Sequence, residues 1–278
     1  MEKKYILTDD VIDFNSHTLH RIKAVRDFDC VKAGDLGGFI ESEKNLDHDG
    51  DAWVFGDAKV FDNAKVSGDA RVSGDAWVSG DAKVYGAAWV SENAKVYGDA
   101  KVSGDAWVSE NARVSGAAWV SGDAKVYGAA WVSGAAWVSG AACVYGDAWV
   151  YENAKVSENA RVYENARVYG AAMVYGDARV SGDAWVSGAA CVSGDAWVSE
   201  NARVSGDADY TTVHGFGRHF RTTTFFRCNN GVVRCQCGCF YGSIDEFRAK
   251  VRETHGNSEY AKEYLMIADL MELHFKED

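Results

Sequence analysis

The residues best able to do chemistry gather near the C-terminus. Cys228, Cys235, Cys237 and Cys239 lie in one short stretch, with His214, His219 and His255 nearby. Thiolates and imidazoles make a zinc site when they converge tetrahedrally, and a thiol pair can oxidise to a disulfide. Convergence depends on one turn, because Asn229-Asn230-Gly231 is a hairpin signal. A two-residue Asn230-Gly231 turn sets Cys228 opposite Val233 and puts all four sulfurs on one face. A three-residue turn breaks the parity and points Cys228 away. Residues two apart on a flat strand stand ~7 Å apart, awkward for three ligands on one zinc at ~2.3 Å bonds. The plainer expectation for Cys228, Cys235, Cys237 and Cys239 is therefore small residues buried under helices, with a metal as the alternative.

A second constellation joins Arg218, His219, Arg221 and Arg227 with Thr222, Thr223 and Thr224. Cations and hydroxyls in this density can bind an anion or a nucleotide. They can equally be surface strand residues paired to acidic neighbours. His219 and His255 are the candidates for a general base, which must reach the group it deprotonates.

The elements that position these residues span 207–278, read as a β-hairpin followed by two helices. Thr222–Arg227 is β-branched and aromatic, and Val232–Tyr241 is the expected return strand. Ser243 with Glu246 forms a capping box ahead of an apolar stripe at Ile244, Phe247 and Val251. Gly256 ends that helix. Ser258 starts another, with Tyr260, Tyr264, Ile267, Leu270 and Met271 expected inside.

Before this module, from Asp51 to Gly206, the chain is an unbroken hexad of 26 units. Every unit carries Ala at one position and Val two later, as at Ala52 and Val54. A fixed short period means a solenoid. Ala and Val two apart share one face of an extended strand, and the residues between and after them point out. The other two residues are Gly-Asp, Gly-Ala, Glu-Asn or Asp62-Asn63, all turn formers. Because Glu precedes only Asn, each corner is expected to place Gly or Asn at positive φ. Prolines are absent, as they must be where nearly every N–H enters a ladder.

This pattern, an aliphatic residue every sixth position with a small residue four after it, resembles the hexapeptide-repeat superfamily. The resemblance implies an all-β, left-handed, triangular parallel β-helix, with three hexads per coil and about 8.7 coils over a rod of roughly 40 Å. Residues 1–50 then form an N-terminal cap with strands at 5–7 and 21–25. A degenerate first coil starts near Gly38, with Ile40 and Leu46 in phase with Ala52. The segment Ile22 to Ile40, with Arg221–Arg227, Cys237–Phe240 and Asp245–Phe247, resembles the terminal modules of phage or prophage solenoids loosely labelled acyltransferases.

Three coil sides stack the outward residues of every third hexad, and all ten Trp fall on these outer faces. Large flat side chains cover β-surface and stack on Lys and Arg above and below. Trp119, Trp131, Trp137 and Trp149 form the densest stretch and the best candidate interface. The related acyltransferases use a His from the coil or an inserted loop, with acyl donors between trimer subunits. The 26 hexads here hold no His and no insertion, which departs from that pattern. An acyltransferase would need His219 or His255 and acetyl-CoA. No other cofactor is implied.

Lys+Arg is 29 against Asp+Glu 41, a net charge of −12. That argues against a bulk nucleic-acid partner. No apolar run has membrane-spanning length. Without a signal-peptide pattern, scattered Cys30, Cys143 and Cys191 point to free thiols in the cytoplasm of a bacterium or phage-infected cell. The resulting expectation is a non-catalytic scaffold offering Trp/Lys/Arg faces to a protein partner or to itself, as dimer or trimer. The alternatives are an acyltransferase-like enzyme and an inhibitor that sequesters a ligand in the C-terminal module.

Overall fold

A computed structural model describes residues 3–276. Each hexad contributes one two-residue strand, from β4 (Trp53–Val54) to β29 (Arg203–Val204). Trp89 pairs in parallel with Arg71 on one side and Trp107 on the other, so each strand's partners come from the third hexad before it and the third after it. The coil is three-sided, with stacked sheets of nine, eight and twelve strands. The last is lengthened by three N-terminal strands. Every hexad Ala and Val faces inward and is buried, the outcome that a period of two requires. The Trp89 N–H donates to the Ala106 carbonyl and the Ser91 N–H to that of Val108, both at 2.9 Å. Even the corner N–H of Asn93 is used, by the Glu110 carbonyl at 2.9 Å. A proline at any of these positions would delete a rung.

The corners depart from expectation. Asn does not take positive φ; the residue before it does, with φ of 59° at Glu92 and Glu110, 61° at Glu152 and 58° at Asp62. For Asp62, Glu152, Glu158 and Glu164 the reason is visible one coil on, where a Gly N–H meets the carboxylate. The Gly170 N–H donates to the Glu152 carboxylate at 2.8 Å, Gly176 to Glu158 at 2.8 Å and Gly182 to Glu164 at 2.6 Å. A charge-assisted bond of this kind offsets the cost of about 1–2 kcal/mol for a side chain in the left-handed region. Gly134 shows the other solution. Its φ is +67°, and an added Cβ would stand 2.7 Å from the Glu152 nitrogen. Gly134→Ala is expected to cost at least about 1 kcal/mol in a urea titration. Gly134→Glu should cost less, because its carboxylate can accept from the coil above. Equal losses in the two variants would refute this account of the corners.

At the N-terminal end the chain forms β1 (Tyr5–Phe14), β2 (His17–Ala24) and β3 (Leu36–Ile40), with β1 and β2 antiparallel. The expected strand at 5–7 lies within β1, and that at 21–25 overlaps β2, which stops at Ala24. The first coil is out of the expected phase. Ile40 pairs with Val60 and Leu46 with Val66, each further along the chain than the three-hexad spacing of the later coils. Both therefore stack on the Val column, and the extra residues fall between Leu46 and Ala52. Trp53 corrects a second expectation: it is 1% exposed and covered by the cap. Its ring meets Phe28 edge-on at 5.3 Å and Tyr5 at 6.1 Å.

The open end of a β-solenoid presents carbonyls with no coil beyond them. Lys4, fully buried, donates its ammonium to the Ala52 carbonyl at 2.8 Å and the Gly50 carbonyl at 3.2 Å. Burial lowers its pKa to about 8. The Tyr5 hydroxyl donates to the Leu46 carbonyl at 2.7 Å. The β1–β2 turn brings His17 between two carboxylates, Nδ1 at 3.0 Å from Glu41 and Nε2 at 3.3 Å from Asp62. The hydrogen bond to Glu41 raises the His17 pKa. A raised folded-state pKa contributes stability below the unfolded value of about 6.5 and loses it as pH climbs through the folded one. Cap stability is thus expected to fall as pH climbs above about 6.5, and His17→Gln should flatten that part of the profile. An unchanged slope in H17Q would remove His17 from the account.

The C-terminal end solves the opposite problem with acceptors. It comprises β30 (Tyr210–Phe216), β31 (Arg221–Arg227), β32 (Val233–Cys237), β33 (Phe240–Ser243), α1 (Ile244–His255) and α2 (Glu259–His274). The expected hairpin is the β31–β32 half of a four-stranded antiparallel sheet, with a turn at Gly238 splitting the return strand. Thr224 Oγ1 accepts the Trp197 N–H at 2.9 Å, and the Tyr210 hydroxyl oxygen accepts the Ser193 N–H at 3.3 Å. Phe226 joins the solenoid core, while its neighbour Phe225 joins the core under the helices. The Ser243–Glu246 capping box and the Gly256 stop occur as read. On α2, Tyr264, Ile267 and Met271 are buried, but Tyr260 and Leu270 are exposed. Small Ala261 and Ala268 take the inner positions instead.

Candidate binding faces and the C-terminal cleft

The outer faces are built from the residue before each hexad Val and the residue after it. A Trp lies above the strand of the third hexad before it, and at Trp89, Trp107, Trp119, Trp131 and Trp197 the indole N–H reaches the hydroxyl that ends that strand. Trp107 donates to Ser91 at 3.2 Å, Trp119 to Ser103 and Trp131 to Ser115 at 3.1 Å, and Trp197 to Ser181 at 3.2 Å. Where that position holds Phe61, Trp77 stacks on the ring at 5.5 Å and its buried N–H has no partner. The accepting Ser thus belongs to the coil before the Trp, 16 residues back, in a unit whose own outward residue is Trp89, Lys101, Arg113 or Arg179, and that fixed offset could have signalled the role. Cations cover the indoles: Lys101 lies 5.5 Å from the Trp119 ring, Lys155 5.7 Å from Trp137, and Arg167 5.3 Å from Trp149. Tyr127, Tyr145 and Tyr163 form a separate parallel stack at 4.9 and 5.0 Å.

The four Trp singled out by density sit on two sheets that share one edge. Trp119 and Trp137 pair on the eight-stranded sheet, Trp131 and Trp149 on the twelve-stranded one. Each pair meets at 5.2 Å in an edge-to-face arrangement. The edge between them runs through Gly116-Ala117, Gly134-Ala135 and Glu152-Asn153, so two of its three corners carry no charge. Trp137 is 47% and Trp149 40% exposed.

The C-terminal candidates divide. The β31–β32 turn has three residues: the Cys228 N–H donates to the Val232 carbonyl at 3.0 Å, and Gly231 takes a φ of 77°. Phe225 pairs with Cys235 and Phe226 with Arg234. Cys228 therefore packs with Phe226 against the solenoid end, and Cys235 faces the helices. The structure does not bring all four sulfurs together. Burial raises the Cys228 and Cys235 thiols above their ordinary range, the opposite of a ligand poised as thiolate.

Arg227 is also set apart. It donates to the Phe275 carbonyl at 2.8 Å and lies over that ring, tying down the end of α2. Arg218, His219 and Arg221 instead border a cleft with Cys237, Cys239 and His255. Thr223 and Thr224 are buried, while Thr222 Oγ1 lies 2.9 Å from His214 Nδ1. The residues that sequence reasoning missed are the end-capping donors Lys4 and Tyr5 and the His17–Glu41–Asp62 group. In that group all three offer ligand-type atoms within 4.8 Å of one another. Their partners are set by the cap's register, which no local pattern encodes.

With this geometry in view, the family pattern described as the YdcK beta solenoid repeat matches residues 64–80, 160–176 and 172–188. All three matches lie within the hexads. No curated protein matches the chain. Among the described residues, no helix is long and apolar enough to cross a membrane.

Proposed function

We propose that the chain is a non-catalytic scaffold whose flat Trp/Lys/Arg faces receive a protein partner or a second copy. The observation that carries this reading is the edge between Trp137 and Trp149, the most exposed indoles along it, where Gly134-Ala135 leaves the corner beside Trp137 uncharged. Exposed aromatic surface beside cations is the composition of an interface centre. The reading divides the chain into a cap at 1–50, a solenoid at 51–206 and a C-terminal module at 207–278. It takes the coil as left-handed, on its likeness to hexapeptide-repeat proteins of phage or prophage type. Experimental phasing of a crystal would report that hand directly.

A photo-crosslinking residue at position 137, used in cells expressing the full chain, tests the interface. A defined adduct at 137, absent with the probe at Arg161 on the third sheet, is the expected result. Equal labelling from both positions, or none, would overturn it. The acyltransferase alternative rests on His219 or His255 and requires acetyl-CoA to bind. Calorimetry with acetyl-CoA, alongside mass by light scattering, separates the two readings.

A further inference from the structure

The cleft in the C-terminal module has a composition unlike the rest of the molecule. It encloses about 280 Å³ and is lined by Arg218, Arg221 and Lys250 without a carboxylate, on a chain of net charge −12. Arg218 and Arg221 have no ion-pair partner among the described residues. Arg248 of the same module shows what a satisfied guanidinium looks like here, held by Asp245, Asp269 and Glu272. Among the described residues Lys250 pairs only with Glu253, one turn along the exposed face of α1 at 2.9 Å, a contact weak enough for an anion to compete with.

The loop that carries Arg218 and leads into Arg221 is anchored. The Glu263 carboxylate accepts the Gly217 N–H at 2.9 Å, and the Tyr264 hydroxyl donates to the Phe216 carbonyl at 3.3 Å. Gly217 lies against the Tyr264 ring with a φ of +70°, and Gly238 leaves the space that the Arg221 guanidinium occupies. Phe240, Phe247 and Val251 give the same cleft an apolar lining. A cationic rim with an aromatic lining matches a ligand with one anionic head and one flat apolar body.

We propose that this cleft binds a small organic anion, a phosphate or carboxylate carrying an aromatic body. The head lies on Arg218 and Arg221, and the body lies against Phe240 and Phe247. The site is separate from the Trp faces and does not depend on their role.

Calorimetric titration of the full chain with phenyl phosphate, benzoate and inorganic phosphate tests it. Phenyl phosphate or benzoate is expected to bind at least about fivefold more tightly than inorganic phosphate, since the apolar wall adds only to the first two. The stronger of the two identifies the head group. Arg218→Gln and Arg221→Gln should each weaken that binding about tenfold, the loss of one charge-assisted bond. Peptide mapping adds an independent reading. The same probe should slow alkylation of Cys239 and leave Cys30 at the far end unaffected. No heat and no protection, binding unchanged in the R218Q/R221Q chain, or equal affinity for inorganic phosphate would each overturn the proposal.

Discussion

Phe226→Ala is expected to remove about 3–5 kcal/mol, the range for emptying a large buried aromatic site. Phe226 is fully buried at the end of the Ala/Val column and stacks on Tyr241 at 6.3 Å. Its loss leaves a void where the last coil has no further neighbour. A solenoid's stability is close to a sum of nearest-neighbour contributions, so the damage should be local. Hydrogen exchange is expected to quicken over β28 (Trp197–Val198) and β29 while the central coils keep their protection. Phe226→Leu should restore most of the loss. A change under about 1 kcal/mol, or a uniform loss of protection along the rod, would contradict the role of Phe226 as a plug.

Trp53→Ala should cost a similar amount, about 3–5 kcal/mol, and the contrast within one residue type makes it informative. Trp53 is sealed between Phe28, Tyr5 and the close backbone of Gly37, where an added Cβ would stand 2.7 Å from its ring. Trp137 occupies the equivalent hexad position on an open face. Its removal forfeits one edge-to-face contact with Trp119 and one cation contact with Lys155, together about 1 kcal/mol. Chemical denaturation of the two variants side by side checks the difference. Similar losses would mean that the cap does not shelter Trp53.

The contrast between these residues also shows where sequence reasoning reaches its limit. Ala52 and Val54 declare their direction through a period of two, and the 26 repetitions leave one solution for the solenoid. Trp53 shares its local Asp-Ala-Trp-Val sequence with Trp107, and only the folded-back cap, through Tyr5, Phe28 and Gly37, buries it. The corners mislead because Asn has the stronger reputation for positive φ, whereas the deciding partner of Glu152 is the Gly170 N–H, one coil away. Leu46 looks in phase because one hexad length separates it from Ala52; its actual partner is Val66. On α2, Leu270 fits the apolar stripe as well as Ile267 does, but the helix is apolar on more than one side, with Met266, Leu270 and Leu273 all exposed. The cations of the cleft are legible as a group. Their separation from Arg227 follows from β31 itself, which holds Arg221 and Arg227 at its opposite ends.

The pairing of every strand with that of the third hexad along has a consequence for the two ends. Strands β1 to β3 continue one end of the twelve-stranded sheet, and Cys228 bridges to Ala202 beside its other end. The rod therefore works as a protractor as well as a ruler. Loss of three hexads would shorten it by one rung, ~4.8 Å, and leave the terminal modules facing as before. Loss of a single hexad would shorten it by only a third as much while swinging one module about 120° around the axis relative to the other. The number of hexads, taken modulo three, sets the bearing of the cationic cleft with respect to the N-terminal hairpin. Repeat gain or loss in this chain is thus a means of rotating one end against the other without altering a single contact inside either.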